Sequence, residues 1–498
     1  MHQLNPIMIA GTGSDVGKSI IATALCRIFK QDGYNPAPFK AQNMALNSYV
    51  TPEGKEIGRA QAVQAEAAGI PCHTDMNPLL LKPQGDSTSQ IVLNGVPRGN
   101  STAYDYFRSE GREDLRKEVC QAFDRLSQRY NPIVMEGAGS ICELNLMDTD
   151  LVNIPMARYA GADIFLVADI DRGGVFASVY GSIALQKEED RKLIKGIIIN
   201  KFRGDLRLFD DGRKIIEDIT GVPVLGVIPY INNVHIDEED SVDLAGKARS
   251  AEQGKVNVAV VMLRHISNFT DFNSLEHDPR VHLFYTASPR DIEQSDIVII
   301  PGTKTTIADL GELRRNGCAQ AIIRARRNGA TVMGICGGYQ MMGQLVADPN
   351  RIEGNMEAMP GLGLLPMTTT MQDEKTTKTT KFKLVRESAQ ALMTGYEIHM
   401  GETIPLEGIQ ESPLTIDSEG KGGGFMLDNR CFGTYIHGIL DNSHFIDFLL
   451  RPFVHKIKKA SQTIDYKDFK NQQYDLLANH VRKYLDINKI YEIIQNEL

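Results

Sequence analysis

The sequence predicts an α/β protein with two doubly wound domains followed by a C-terminal helical extension. Short Val- and Ile-rich runs alternate with amphipathic stretches, which is typical of parallel strands covered on both faces. The chain has 498 residues, more than one hydrophobic core normally supports, so more than one domain is expected. A glycine-rich turn near the N-terminus and a cysteine between glycines far along the chain each follow an apolar run. We therefore expect a strand-turn-helix site in each half.

The first turn has the pattern of a phosphate loop. An apolar run at 6–10 precedes Gly11-Thr-Gly-Ser-Asp-Val-Gly-Lys-Ser19, and a helical pattern follows at 20–29. Backbone amides in such a turn cradle phosphates, while the lysine adds charge and the serine hydroxyl can bind Mg²⁺. The usual spacing would place a glycine at Thr12, so a chance turn is the alternative. The predicted nucleotide-binding residues are Thr12, Gly13, Ser14, Asp15, Val16, Gly17, Lys18 and Ser19.

Further apolar runs predict a parallel sheet in the N-terminal half. They lie at 35–40, 132–136, 162–170, 195–202 and 222–230. Ligands of such sheets bind at the carboxyl ends of the strands. Glu136 closes one run, so we expect it to hold Mg²⁺ together with Ser19. A capping or solvated glutamate is the alternative.

The second half repeats the alternation. Residues 236–255 are charged and lack apolar periodicity, which predicts a linker between a domain at 1–235 and another at 256–445. Strands are expected at 256–262, 282–287 and 297–300, and helices at 306–316 and 318–328. The remaining residues, 446–498, are predicted to form the helical extension.

Cys336 is the candidate nucleophile of the second domain. The apolar run from 331 ends in Gly334-Ile-Cys-Gly-Gly338, the pattern of a nucleophile elbow. Gly334 and Gly338 would let strand and helix approach closely, and the helix N-terminus would lower the thiol pKa. A buried, unreactive cysteine is the alternative.

A thiolate that attacks an amide needs a base and an oxyanion site. His437 ends the apolar run from 431 and is the preferred base, and His399, in a less certain strand, is the alternative. The amides of Gly302, in the turn after the run at 297–300, and of Gly337 are the predicted oxyanion donors. A simple tight turn would also explain Pro301-Gly302.

Composition limits the classes of partner. The net charge of −9 and the pI near 5.7 argue against general nucleic-acid binding. The seven cysteines are scattered without metal-site spacing, and no apolar run of about 18 residues occurs. A cytoplasmic protein without membrane partners is therefore expected.

The order of several segments resembles the cobyric acid synthase family of cobalamin biosynthesis. The N-terminal half is similar to the dethiobiotin synthetase type of fold, whose phosphate loop has the same early glycine. The C-terminal half resembles class I glutaminases, with Cys336 and His437 as the reactive pair. Many of those carry Glu two residues after the histidine, where this chain has Ile439, and Asp441 is the nearest acid. The matching segments start at Phe39, Asn77, Glu136, Asp169 and Asn200.

The resemblance implies a carbon–nitrogen ligase with glutamine as amide donor and ATP and Mg²⁺ as cofactors. The implied reaction amidates the b, d, e and g carboxylates of adenosylcobyrinic acid a,c-diamide to give adenosylcobyric acid. Acyl phosphates would be the intermediates, and ammonia would come from the Cys-His site. Cobyrinic acid a,c-diamide synthase and a non-catalytic phosphate-loop switch are the alternatives.

Overall fold

The computed structural model describes residues 3–83, 88–102, 106, 112–237, 252, 255–387, 391–457 and 465–495. It divides the chain into two compact units. The first comprises Met1–Ala45, Glu56–Asp237 and Lys470–Leu498, and the second comprises Leu46–Lys55 and Glu238–Phe469. Each unit contains a six-stranded sheet that is parallel or mostly parallel, which confirms the predicted α/β class.

The main sheet of the first unit consists of parallel strands whose two faces are both buried. Ile9 of the strand that leads into the phosphate loop pairs with Phe165 on one side and with Glu136 on the other. This register brings the phosphate loop and Glu136 to the same edge. The strand order is Val224–Pro229, Ile194–Phe202, Asp163–Asp169, Ile7–Gly11, Ile133–Glu136 and Ala37–Phe39.

A smaller sheet of the first unit begins directly after Phe39 and Lys40. Its last two strands form a hairpin through Asn94 and Gly95, both of which have positive φ, as a type I′ turn requires. Its strands are Gln42–Met44, Leu79–Pro83, Thr88–Leu93 and Val96–Thr102. A separate short strand, Glu56–Gly58, leads into a buried helix.

The helices of the first unit include two from the end of the chain. Leu477, Val481 and Ile490 share one apolar cluster with Ile7 and Phe29. The Asp486 amide donates to Leu225 O at 2.9 Å, on the edge strand of the main sheet. The C-terminal helices thus complete the core of the first unit. The helices are Lys18–Gln31, Arg59–Ala68, Arg112–Ser127, Ile154–Ala160, Val175–Ala184, Glu188–Arg191, Asp210–Thr220, Tyr466–Tyr484 (from Lys470 onward) and Ile487–Ile494.

The second unit contains two sheets. In the first, only Phe425–Asp428 runs antiparallel to its neighbour. Its order is Val281–Thr286, Val256–Val261, Ile297–Ile300, Thr331–Ile335, Cys431–Thr434 and Phe425–Asp428. The second sheet is built around a long hairpin. Its strands are Ala358–Pro360, Leu345–Ala347, Met367–Leu384, Met393–Pro405, Ile436–His437, Thr415–Asp417 and Gly422–Gly423.

Short helices connect the strands of the second unit. The strand Ser48–Val50 also belongs to this unit. Phe445, Phe448 and Leu449 are buried in the core of this unit. The helices are Asn273–Glu276, Pro289–Glu293, Thr306–Arg315, Cys318–Arg327, Gly337–Met341 and Ser443–Leu450.

The predicted domain boundaries remain predictions. Most of the expected linker at 236–255 lies outside the described residues. The expected extension at 446–498 is divided between the units, because its last part, Lys470–Leu498, belongs to the first. Among the described residues, no helix is both long and apolar enough to span a bilayer.

We expect Leu477→Ala to destabilise the first unit, because the Leu477 side chain is fully buried in its core. Truncating such a leucine costs about 2–5 kcal/mol. Urea unfolding checks this. The matched control is Leu476→Ala, since Leu476 is 49% exposed and its truncation should change stability by less than about 0.5 kcal/mol. Equal effects of the two substitutions would contradict the docking of this helix.

Candidate active sites

Cys336 occupies a sharp turn between a buried strand and a short helix. It follows the strand Thr331–Ile335, precedes the helix Gly337–Met341, and has φ 52° and ψ −114°. Positive φ is unusual for a residue with a side chain and marks strain at functional turns. The Cys336 amide donates to Thr434 O at 2.8 Å, and its thiol lies 3.6 Å from Ile398 O. The turn therefore has the geometry of a nucleophile elbow.

The turn requires glycine on both sides of Cys336, because a side chain at Gly334 or Gly338 would collide with nearby atoms. A Cβ on Gly338 would overlap Ile300 O of the neighbouring strand. A Cβ on Gly334 would lie 2.7 Å from Gly338 O. The close approach of strand and helix expected from the sequence is therefore present.

His437 is fully buried and is held by an acid that the sequence analysis missed. Its Nδ1 lies 2.6 Å from Asp271 Oδ2, and the Gly438 amide donates to Asp271 Oδ1 at 3.0 Å. Asp271, rather than the sequence neighbour Asp441, thus orients the ring. Asp271 lies in the 3₁₀ turn Phe269–Phe272, 166 residues before His437, and no motif or spacing connects the two.

The surroundings of His437 favour its charged form. Burial lowers the pKa of this histidine, but the Asp271 carboxylate and the Cys336 thiol outweigh that effect and raise it to about 10. With Nδ1 taken by Asp271, Nε2 makes no hydrogen bond of ordinary geometry to the described residues. Nε2 is therefore available to the thiol and to a substrate.

The turn with Gly302 lies beside both His437 and the elbow. A Cβ on Gly302 would be 3.4 Å from His437 Cε1, and one on Gly337 would be 3.2 Å from the Thr303 amide. Within the described residues, neither the Gly302 nor the Gly337 amide donates a hydrogen bond. Both amides are therefore available to an oxyanion, and their role as oxyanion donors stays a prediction.

His399 has different surroundings. Its Nδ1 lies 2.9 Å from Gly401 O, and its ring stacks on Tyr435 with centroids 3.7 Å apart. Its Nε2 is 3.4 Å from Glu397. The Cys336 thiol raises the pKa of His437, the histidine preferred as base from the sequence.

The phosphate loop of the first unit has the predicted strand-turn-helix form. Gly17 caps the helix Lys18–Gln31 with φ 99°, and a Cβ there would overlap the Asn200 side chain. Asn200 Nδ2 donates to Val16 O at 2.9 Å, which ties the loop to the strand Ile194–Phe202, two places along the sheet from the strand Ile7–Gly11. Asn200 thus supports the loop. In the sequence, the segment that starts at Asn200 indicated only a resemblance to the family.

Lys18 points back across the loop. Its ammonium donates to Gly13 O at 2.8 Å and to Gly139 O at 2.9 Å. Burial lowers the pKa of Lys18 to about 8, although Glu136 acts in the opposite direction. A bound phosphate would supply the negative charge that this partly desolvated ammonium lacks.

Glu136 is the centre of a buried polar network. Its Oε1 accepts from Ser19 Oγ at 2.9 Å and from Lys40 Nζ at 2.8 Å, and its Oε2 accepts from Gln64 Nε2 at 2.6 Å. Burial would raise the pKa of Glu136, but Lys40 and these hydrogen bonds hold it below its usual value. Lys40 and Gln64 were not predicted as site residues. Lys40 directly follows the strand Ala37–Phe39, which neighbours that of Glu136, so its strand-end position was an available signal.

The oxygen atoms of Ser19 and Glu136 fit the donors that Mg²⁺ prefers. This ion keeps several waters and uses one or two protein oxygens together with phosphate oxygens. In the described part of the chain, no group of three or more His, Cys, Asp or Glu side chains could hold a metal. Water and phosphate oxygens would complete the coordination of a cation held by Ser19 and Glu136.

Comparison with known proteins covers almost the whole chain. Residues 7–243 match the CobQ/CobB/MinD/ParA nucleotide binding domain, and residues 257–445 match the CobB/CobQ-like glutamine amidotransferase domain. The cobyric acid synthase of Bacteroides fragilis is 66% identical over 99% of this chain and 98% of its own. Those of Phocaeicola vulgatus and Syntrophobacter fumaroxidans are 64% and 46% identical, and each alignment spans at least 98% of both chains. Such identity over nearly the full length establishes that the chain belongs to the cobyric acid synthase family of glutamine-dependent ligases.

Proposed function

We propose that the protein amidates the b, d, e and g carboxylates of adenosylcobyrinic acid a,c-diamide with ATP and glutamine, giving adenosylcobyric acid. The observation that carries the proposal is the hydrogen bond from buried His437 to Asp271 beside the strained Cys336. This is the arrangement that amide hydrolysis needs. The phosphate loop and Glu136 of the other unit supply the means to activate a carboxylate.

Ammonia is released in the second unit. His437 holds the proton of the Cys336 thiol, and the thiolate attacks the amide carbon of glutamine. The amides of Gly302 and Gly337 stabilise the oxyanion, and the imidazolium gives its proton to the leaving ammonia. Water then hydrolyses the thioester with His437 as base, which releases glutamate. Asp271 keeps Nδ1 protonated, so that Nε2 carries out each transfer.

The carboxylate is activated in the first unit. A carboxylate is not amidated directly because its oxygen leaves poorly, so phosphoryl transfer from ATP first gives an acyl phosphate. Ammonia then displaces phosphate. Lys18 and Lys40 offset the negative charge of the transferred group. Mg²⁺, held by Ser19 and Glu136, would neutralise phosphate charge when bound.

The setting we propose is the cytoplasm. The reactive Cys336 is a free thiol. Thiols persist in reducing compartments, which supports this location.

Mass spectrometry of the reaction tests the proposed substrate. Incubation with the a,c-diamide corrinoid, ATP and glutamine should give four successive amidations. A protein that instead amidates only cobyrinic acid, and stops at the a,c-diamide, would have the activity of the earlier synthase.

Cys336→Ala should lower the rate of glutamine-dependent amidation by more than about 10⁴-fold, because the thiol that forms the thioester is lost. Amidation with added ammonium should survive, since the phosphate loop is unchanged. Both rates are measured by following corrinoid products. The matched control is Cys318→Ala, which removes a buried thiol that donates only to Ala287 O, and should retain both activities. Loss of both activities in Cys336→Ala would contradict the division of labour.

Asp271→Asn should lower glutamine hydrolysis by about 100-fold or more, because the ring loses its orienting carboxylate. The same change removes the main group that raises the pKa of His437, so its imidazolium should deprotonate at lower pH. The basic limb of the pH–rate profile should therefore shift downward. An unchanged pH profile would show that Asp271 does not act through the histidine.

Lys18→Ala should reduce amidation with either nitrogen source by at least about 100-fold. The substitution removes the positive charge that stabilises the negatively charged phosphoryl group during its transfer. Lys30→Ala, which removes an exposed lysine from the same helix, is the control and should have little effect. Persistent ATP-dependent amidation in Lys18→Ala would disprove the role of the phosphate loop.

A further inference from the structure

A segment from the N-terminal half of the sequence belongs to the second unit. Leu46–Lys55 groups with Glu238–Phe469, although the residues before and after it, Met1–Ala45 and Glu56–Asp237, belong to the first unit. It contains the short strand Ser48–Val50. We call these residues the 46–55 segment.

The 46–55 segment contacts Tyr396 on the long hairpin of the second unit. The Tyr396 hydroxyl donates to Ser48 O at 3.3 Å, and its ring meets Tyr49 edge to face with centroids 4.9 Å apart. Val50 and Ile398 complete a small buried cluster around Tyr396. Tyr396 is thus fixed by both a polar and an apolar contact.

A second contact reaches the turn that carries Asp271. The Ser48 amide donates to Asn268 Oδ1 at 3.3 Å. Asn268 has φ 53°, begins the 3₁₀ turn Phe269–Phe272, and accepts the Asp271 amide with its own carbonyl at 3.0 Å. The segment therefore also holds the start of the turn.

Both contacts lead to His437. Tyr396 lies opposite His437 in the strand register, and the two rings stack with centroids 5.3 Å apart and an interplanar angle of 21°. Asp271 binds Nδ1 of the same ring. The stacked tyrosine sets the plane of the imidazole, and the carboxylate sets its rotation within that plane.

We propose that the 46–55 segment positions His437 for glutamine hydrolysis by fixing Tyr396 through Ser48 O and the Asp271 turn through Asn268. This inference rests on the proposed glutaminase role of Cys336 and His437. Ser48, Tyr396 and Asn268 are positioning residues, since they act through the His437 ring and through the turn that carries Asp271. A displacement of about 1 Å in a catalytic group can cost about 100-fold in rate, so holding the ring from two sides has a measurable effect.

Two substitutions each remove one of these hydrogen bonds. Tyr396→Phe keeps the stacked ring and loses the hydrogen bond to Ser48. Asn268→Gly loses the acceptor for the Ser48 amide and keeps a residue that adopts positive φ without strain. Asn268→Asp retains the acceptor oxygen and serves as the conservative variant.

We expect Tyr396→Phe and Asn268→Gly each to lower kcat for glutamine hydrolysis by about 3–10-fold, the effect of one lost hydrogen bond. KM for glutamine should stay unchanged, ammonia-dependent amidation should stay at the parent rate, and Asn268→Asp should recover most of kcat. Tyr474→Phe is the matched control, because it removes a buried tyrosine hydroxyl that donates to Glu66 within the first unit.

Three outcomes would overturn the inference: parent kcat in both variants, an equal loss in Tyr474→Phe, or no recovery in Asn268→Asp. Cys336→Ala is measured in parallel. If that variant still hydrolyses glutamine, the proposed glutaminase site fails. If it does not, and Tyr396→Phe and Asn268→Gly hydrolyse glutamine at the parent rate, only the positioning role of the segment fails.

Discussion

Each candidate site depends on a glycine in a tight turn. A neighbouring atom lies so close to that glycine that a residue with a Cβ would not fit. At the elbow, Gly338 lies against Ile300 O, and at the phosphate loop, Gly17 lies against Asn200. Each turn follows a strand whose faces are buried, so the preceding residues cannot shift to relieve the crowding. The functional atoms are therefore held by the backbone itself.

The charged groups at these turns are buried and paired. Glu136 binds Lys40, and His437 binds Asp271, with every one of these side chains largely removed from water. Removing one member of such a pair leaves an uncompensated charge, which costs about 3–5 kcal/mol. The same pairing fixes the direction in which each group points. Stability and chemistry are consequently coupled at Glu136 and at Asp271.

The candidate glutaminase site extends beyond the residues that match the amidotransferase family. That match covers residues 257–445, whereas the 46–55 segment, which contacts Tyr396 and Asn268, comes from the N-terminal half. The segment directly follows the short strand Gln42–Met44 and Ala45 of the first unit. The surroundings of His437 are thus encoded in two distant parts of the chain. A glutaminase fragment cut at the family boundary would lack one of its supports.

The sequence by itself determined the α/β class, most strands of the two six-stranded sheets, and the two turns, because these depend on local patterns of apolar residues and glycine. The conformation of each turn is determined by consecutive residues, Gly11 to Ser19 in one and Gly334 to Gly338 in the other. Only the tertiary structure identified Asp271, Gln64 and the 46–55 segment as parts of the sites. Their partners lie between 72 and 348 residues away along the chain, and a hydrogen bond across such a separation has no periodicity to reveal it. The order of strands in each sheet and the route of the chain between units decided those pairings.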